Sequence, residues 1–297
     1  MTGWQLFVSA WDWEPSVIAG CAVLLLAYFA ALRFRFPKVA WYFIAGIIVL
    51  LLALVSPLDP LGDMYLFSAH MLQHIFLILI VPPLLLLGMP RDLAQRILQR
   101  PLGGRAERAL SRPVLAWTLG IGTMWLWHWP PLYNAALASE PIHIVEHLMF
   151  LVTAAIFWWP VIGPIKELRL APLGAVVYVF GACAAHTVLA ILLTFAPLGL
   201  YPAYLLPADT LHVLPLIREG WGLTPSADQQ WGGLLMWVPA CLVYLGVLLA
   251  TLTRWYQTPE QDELAPSLAM TSAASVDADD ESYHRTTPEV SLSSGKS

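Results

Sequence analysis

Two short strings each set a pair of imidazoles one helical turn apart. They are His70-Met71-Leu72-Gln73-His74 and His143-Ile144-Val145-Glu146-His147. Residues at i and i+4 share one face of a helix, so each pair can turn both rings toward a single ion. His128 and His186 also stand in apolar surroundings, as do the thioethers Met71, Met124, Met149 and Met236. Imidazole with thioether suits copper, particularly Cu(I), better than magnesium or calcium. The candidate metal ligands are therefore His70, His74, His128, His143, His147 and His186, with Met71, Met124 and Met236 as candidate further contacts to the ion. Zinc and haem are the alternative cofactors. A haem held between helices wants single histidines on facing helices, so pairs this close favour an ion. The competing role for each histidine is to bond a carbonyl and hold two helices together, and for each methionine to fill space.

The elements that must position these residues are membrane helices. Of the 297 residues 58% are hydrophobic and only 12% charged, too little charge to cover a water-soluble surface of this size. Apolar runs of about 20 residues, enough to cross a ~30 Å hydrocarbon core, fall at 15–34, 38–57, 63–88, 113–131, 141–163, 172–196 and 231–254. Within them the backbone must satisfy its own hydrogen bonds, so helix is expected. Pro57, Pro130, Pro160 and Pro197 fall at span ends, whereas Pro82 and Pro83 fall inside the third span and should kink it. The expected fold class is all-α, a polytopic membrane bundle of about seven transmembrane helices over residues 1–256.

Charge orients the bundle. Arg33, Arg35, Lys38, Arg91, Arg96, Arg100, Arg105, Arg108, Arg112, Lys166, Arg169 and Arg254 occupy one set of loops. Asp59, Asp63, Glu140, Asp209 and Asp228 occupy the other, with Arg218 as its base. The positive-inside bias then predicts an outside N-terminus and a cytoplasmic C-terminus. With that direction, His128 and His143 come within about 5 Å of the outer helix ends, His70 and His147 at about 10 Å, and His74 and His186 near about 16 Å. All six gather toward one membrane face, where ionisable groups are rare and mark function. His70, His74 and His147 are the expected centre.

Other segments carry less chemistry. Arg91 to Arg112 alternates bases with leucine and isoleucine, suiting either a helix on the cytoplasmic leaflet or a topogenic basic loop. Residues 257–297 are rich in Ser, Thr, Asp and Glu, so a disordered cytoplasmic tail is expected, and His284 belongs to it. Cys21, Cys183 and Cys241 form no CxxC pair and read as small buried hydrophobes. Met1 to Pro15 lacks the basic region of a signal peptide. The loop from Pro197 to Gln230, with Tyr201 and Trp221, reads as an interfacial anchor or a docking surface. The two histidine strings are followed by Gly88-Met89-Pro90-Arg91-Asp92-Leu93 and Gly163-Pro164-Ile165-Lys166-Glu167-Leu168, then by returning helices with His128 or His186. That pattern suggests two related hairpins with a site between them.

Several blocks together carry a family resemblance. Ser56-Pro57-Leu58-Asp59, the His70 string, Pro82 to Pro90, Trp127 to Tyr133, Ile142 to His147 and Gln229 to Pro239 resemble the multi-span bacterial CtaG family of cytochrome c oxidase assembly factors. The likeness runs over roughly residues 40 to 255 and leaves out the first span and the tail. It implies a bacterial inner-membrane, multi-pass protein that serves haem-copper oxidase maturation, with oxidase subunits as partners and copper delivery as its task. It carries over to His70, His74, His128, His143, His147 and the Gln229-Gln230 pair, while His186 rests on depth alone. The implied role is that of an assembly factor and not an enzyme, with no nucleic-acid partner. Three alternatives stay open: a haem-binding membrane protein, an intramembrane metallopeptidase using the H-x-x-E-H string at His143 to His147, and a bundle that scaffolds oxidase subunits without metal.

Overall fold

The computed structural model describes residues 2–99 and 112–284, with residues 257–284 described by backbone alone. Among these residues every regular element is helical. In chain order they are α1 (Gly3–Ser9), α2 (Pro15–Ala31), α3 (Ala40–Val55), α4 (Leu58–Met64), α5 (Phe67–Leu87), α6 (Arg91–Leu98), α7 (Pro113–Trp127), α8 (Pro130–Ala138), α9 (Glu140–Ile162), α10 (Pro172–Thr194) and α11 (Pro225–His284). Residues from Leu249 onward form a second compact unit, in which the last helix continues to His284. The expected disordered tail falls on residues whose side chains, and from 285 on whose backbone, lie outside the described residues. So does the part of the expected basic amphipathic segment from 100 to 111.

Four helices are long and apolar enough to cross a membrane: Phe67–Leu87, Glu140–Ile162, Pro172–Thr194 and Pro225–Tyr256. A fifth crossing is available if α3 and α4, bent by 47°, count as one span. The two remaining expected spans are shorter. α2 has 17 residues and α7 has 15. Proline explains where α7 stops. Trp129 is extended, with φ −67° and ψ 125°, because the residue before a proline avoids the helical region, and Pro130 then starts α8. The same rule separates α3 from α4, since Ser56 before Pro57 takes ψ 171°.

The double proline in α5 is absorbed without ending the helix. Pro82 has no N–H to offer the carbonyl four residues back, that of Ile78, and residues Phe76–Ile80 open into a π-turn. The Trp158 indole on α9 donates to that orphaned Ile78 carbonyl at 2.9 Å. A polar group stranded in the bundle interior is thereby satisfied from the neighbouring helix. α9 packs along α7 and along the second half of α5, and α3 packs on the same half of α5 from another side. Tyr28 stacks on Phe43 at 3.9 Å and donates to the Gly88 carbonyl at 2.7 Å, tying α2 to α3 and to the end of α5.

Candidate metal centre

α5 and α9 begin at the same end of the bundle, and α7 finishes there. The first two turns of α5 carry His70 and His74, the first two turns of α9 carry His143 and His147, and His128 caps the end of α7. Helix polarity therefore brings five histidines from three helices to one place. His70 and His74 are 4.4 Å apart by ring centroid, His143 and His147 4.1 Å, His70 and His143 5.3 Å, and His74 and His147 5.9 Å.

Two sets of potential ligand atoms result. One atom each from His70, His74 and His147 lies within 4.8 Å of the others, and so does one each from Asp63, His70 and His143. His70 belongs to both. The Asp63 carboxylate at the end of α4 approaches His143 Nδ1 at 3.4 Å and His70 Nδ1 at 3.8 Å. Glu146 is fully buried beside His74, its Oε1 3.5 Å from His74 Nε2. His74 Nδ1 meets His128 Nε2 at 3.4 Å, and His128 Nδ1 meets the Met124 carbonyl at 2.6 Å.

Much of this polarity makes no hydrogen bond. Asp63 Oδ1, His74 Nε2, His143 Nε2, His147 Nε2 and both Glu146 oxygens are buried with no hydrogen bond. Buried polar groups are ordinarily satisfied, so this concentration sets the cluster apart from the rest of the core. Imidazoles with one carboxylate at their rim and another buried beside them have a donor chemistry that would suit copper or zinc.

The frame around the rings is polar and specific. Asp228, almost fully buried at the start of α11, accepts from Phe67 N at 2.8 Å and Ser68 N at 3.1 Å. It caps the helix that carries His70 and His74. Tyr201 donates to the His128 carbonyl at 2.7 Å, and Tyr204 donates to the Gly62 carbonyl at 2.8 Å. With its own proton committed, Tyr204 accepts from the Tyr133 hydroxyl at 3.0 Å. Burial pushes the phenols of Tyr201 and Tyr204 up from their ordinary range, so both remain donors. Gly62 must be small. A Cβ there would stand 2.6 Å from Gln73 Oε1 and 3.0 Å from the His70 backbone nitrogen.

A sequence profile described as cytochrome c oxidase caa3 assembly factor (Caa3_CtaG) matches residues 20–258. The chain belongs to that family. The match takes in α3 to α10 and the apolar part of α11, so the blocks from Ser56 to Pro239 and the histidine centre all lie inside it. The role of the caa3 assembly factors suggests a non-catalytic function for this one. Among curated relatives, uncharacterised proteins of Mycobacterium bovis and Mycobacterium tuberculosis are each 28% identical over 92% of this chain and 43% of their own length. An uncharacterised protein of Mycobacterium leprae is 25% identical over 84% of this chain and 40% of its own. The chain thus spans less than half the length of these relatives. No solved structure matches it.

The residues singled out in the sequence do not all meet. His70, His74 and His147 converge, His143 joins through His70 and Asp63, and His128 touches His74. His186 stands outside both ligand sets, buried against Tyr244 at 5.9 Å. Met71 is buried against Gly232 of α11, and Met124 is buried with its carbonyl on His128. Met236 is fully buried in the core. Gln229 ends α10 by donating to the Ala196 carbonyl at 2.7 Å. Asp63, Tyr133, Tyr201 and Tyr204 enter the site or its frame without a clear sign in the sequence. Asp63 reads there as a loop acid, and Tyr201 as an interfacial anchor.

Proposed function

We propose that this chain binds copper at its histidine centre and delivers it to a haem-copper cytochrome c oxidase during assembly. The observation that carries the reading is the convergence of His70, His74 and His147 among buried polar atoms that make no hydrogen bond. Family membership supports the oxidase as the destination. Ring centroids 4 to 6 Å apart leave no plane for a porphyrin between the histidines, which supports an ion over a haem. In this reading the chain crosses a bacterial plasma membrane about seven times, N-terminus outside, with the centre in the outer half of the bilayer. α2 and α7 are shorter than the hydrocarbon core, so local thinning and their flanking turns complete those crossings. Oxidase subunits are the expected partners.

The deciding experiment measures copper and the visible spectrum of detergent-purified protein beside its His70→Ala and His74→Ala variants. Both variants should accumulate in membranes, lose copper and fail to support oxidase activity, and the parent should show no Soret band. Full copper content with normal oxidase activity in both would end the proposal.

A further inference from the structure

The two ligand sets differ in depth and in charge. Of the residues that distinguish the sets, Asp63 is 33% exposed and His143 12%, whereas His74 is closed off at 1% and His147 is partly buried. The outer set includes the partly exposed Asp63 carboxylate, and the inner set is three imidazoles with the buried Glu146 carboxyl beside His74. One ring, that of His70, is common to both, with its Nδ1 facing Asp63. Asp63 Oδ1 and the Nε2 atoms of His143 and His147 make no hydrogen bond, and His74 Nε2 has only the Glu146 carboxyl beside it at 3.5 Å, so these groups are open to exchange.

We propose that the centre is a two-position relay in which Asp63, His70 and His143 receive the ion at the surface of the bundle and pass it inward to His70, His74 and His147. The proposal rests on the reading that the histidine cluster binds metal, and it assigns Asp63 a role in admission and release. His70 keeps hold of the ion throughout while Asp63 and His143 are exchanged for His74 and His147. An ion crossing between the sets is then never stripped of all its ligands, which would be costly in a site this dry. The carboxylate suits the mouth for two reasons. Its negative charge draws a cation from solvent. Its hard oxygen also holds a soft ion less firmly than imidazole, so the ion moves on.

The test uses full-length protein in detergent, with Cu(I) presented as, and withdrawn by, a chromophoric chelator under anaerobic conditions. Asp63→Asn removes the charge at a partly exposed position whose Oδ1 makes no hydrogen bond, so the fold has little to lose. It should bind the same amount of Cu(I) at equilibrium but load and release it slower by about ten-fold or more. His74→Ala should take the ion up at the outer set as fast as the parent but release it so readily that none survives purification. Parent rates in Asp63→Asn would overturn the relay, and so would loss of equilibrium binding there, which would make Asp63 a permanent ligand. His70→Ala separates the two questions. Its loss of all Cu(I) leaves metal binding standing whatever Asp63→Asn does, and its retention of Cu(I) removes the reading beneath the relay.

Discussion

His74 and His128 meet nitrogen to nitrogen, Nδ1 to Nε2 at 3.4 Å, at the junction of α5 and α7. The Met124 carbonyl can only accept, so neutral His128 carries its proton on Nδ1 and presents a bare Nε2. Neutral His74 then donates from Nδ1, which leaves its own Nε2 as a lone pair beside the Glu146 carboxyl at 3.5 Å. A carbonyl on α7 thus sets the tautomer of a ring on α5, an arrangement typical of the partners behind metal-bound histidine.

Replacing His128 by Ala should therefore weaken Cu(I) binding by about 10- to 100-fold without abolishing it. His74→Ala should do more damage than His128→Ala, because it deletes the ligand and not its support. Chelator competition on the two purified variants measures the difference. Equal affinity of His128→Ala and parent would show that His74 needs no orientation from α7.

Asp228→Ala should loosen the start of α5. The carboxylate accepts two backbone N–H groups from a buried position, and removing it strands both. A cost of about 2 kcal/mol is expected, seen as a lower unfolding temperature in detergent. Asp228→Asn keeps one acceptor oxygen and should fall between the two. Unchanged thermal stability in Asp228→Ala would mean that the cap contributes nothing.

The bond from Trp158 to the Ile78 carbonyl exists because Pro82 leaves that carbonyl unpaired. Trp158→Phe should destabilise the bundle by about 1–3 kcal/mol. In a Pro82→Ala background the backbone can pair Ile78 itself, so the same substitution should cost much less. A double-mutant cycle on unfolding in detergent gives the coupling. Additive effects would break the link between the proline and the indole.

Orientation is read from the two ends of α9. Glu140 and Lys166 flank this helix and are both exposed. With Cys21, Cys183 and Cys241 replaced, a cysteine at 140 should react with an impermeant maleimide in intact cells, and one at 166 should not. Labelling only at 166 would invert the chain and set the histidines on the cytoplasmic side.

The helical, lipid-solvated character of this protein and the facial pairing of its histidines are local properties, and the sequence determined them by itself. Apolar composition dictates helix where no water can serve the backbone, proline marks where helices start, and a spacing of four aligns two rings on one helix. The convergence of His70, His74 and His147 was within reach for the same reason, since parallel helices starting at one end bring equal depths together. What lay beyond reach were relationships between faces. Periodicity gives the direction of a side chain from its own axis but not which neighbour it will meet. His186 has the burial of a ligand yet turns toward Tyr244. Asp63 is separated from His70 by the extended residue Leu66, which breaks the helical register linking them. Asp228 reaches Ser68 across 160 positions of chain. Only the tertiary structure decided these contacts, because they depend on how whole helices rotate and pack and not on the residues beside them in sequence.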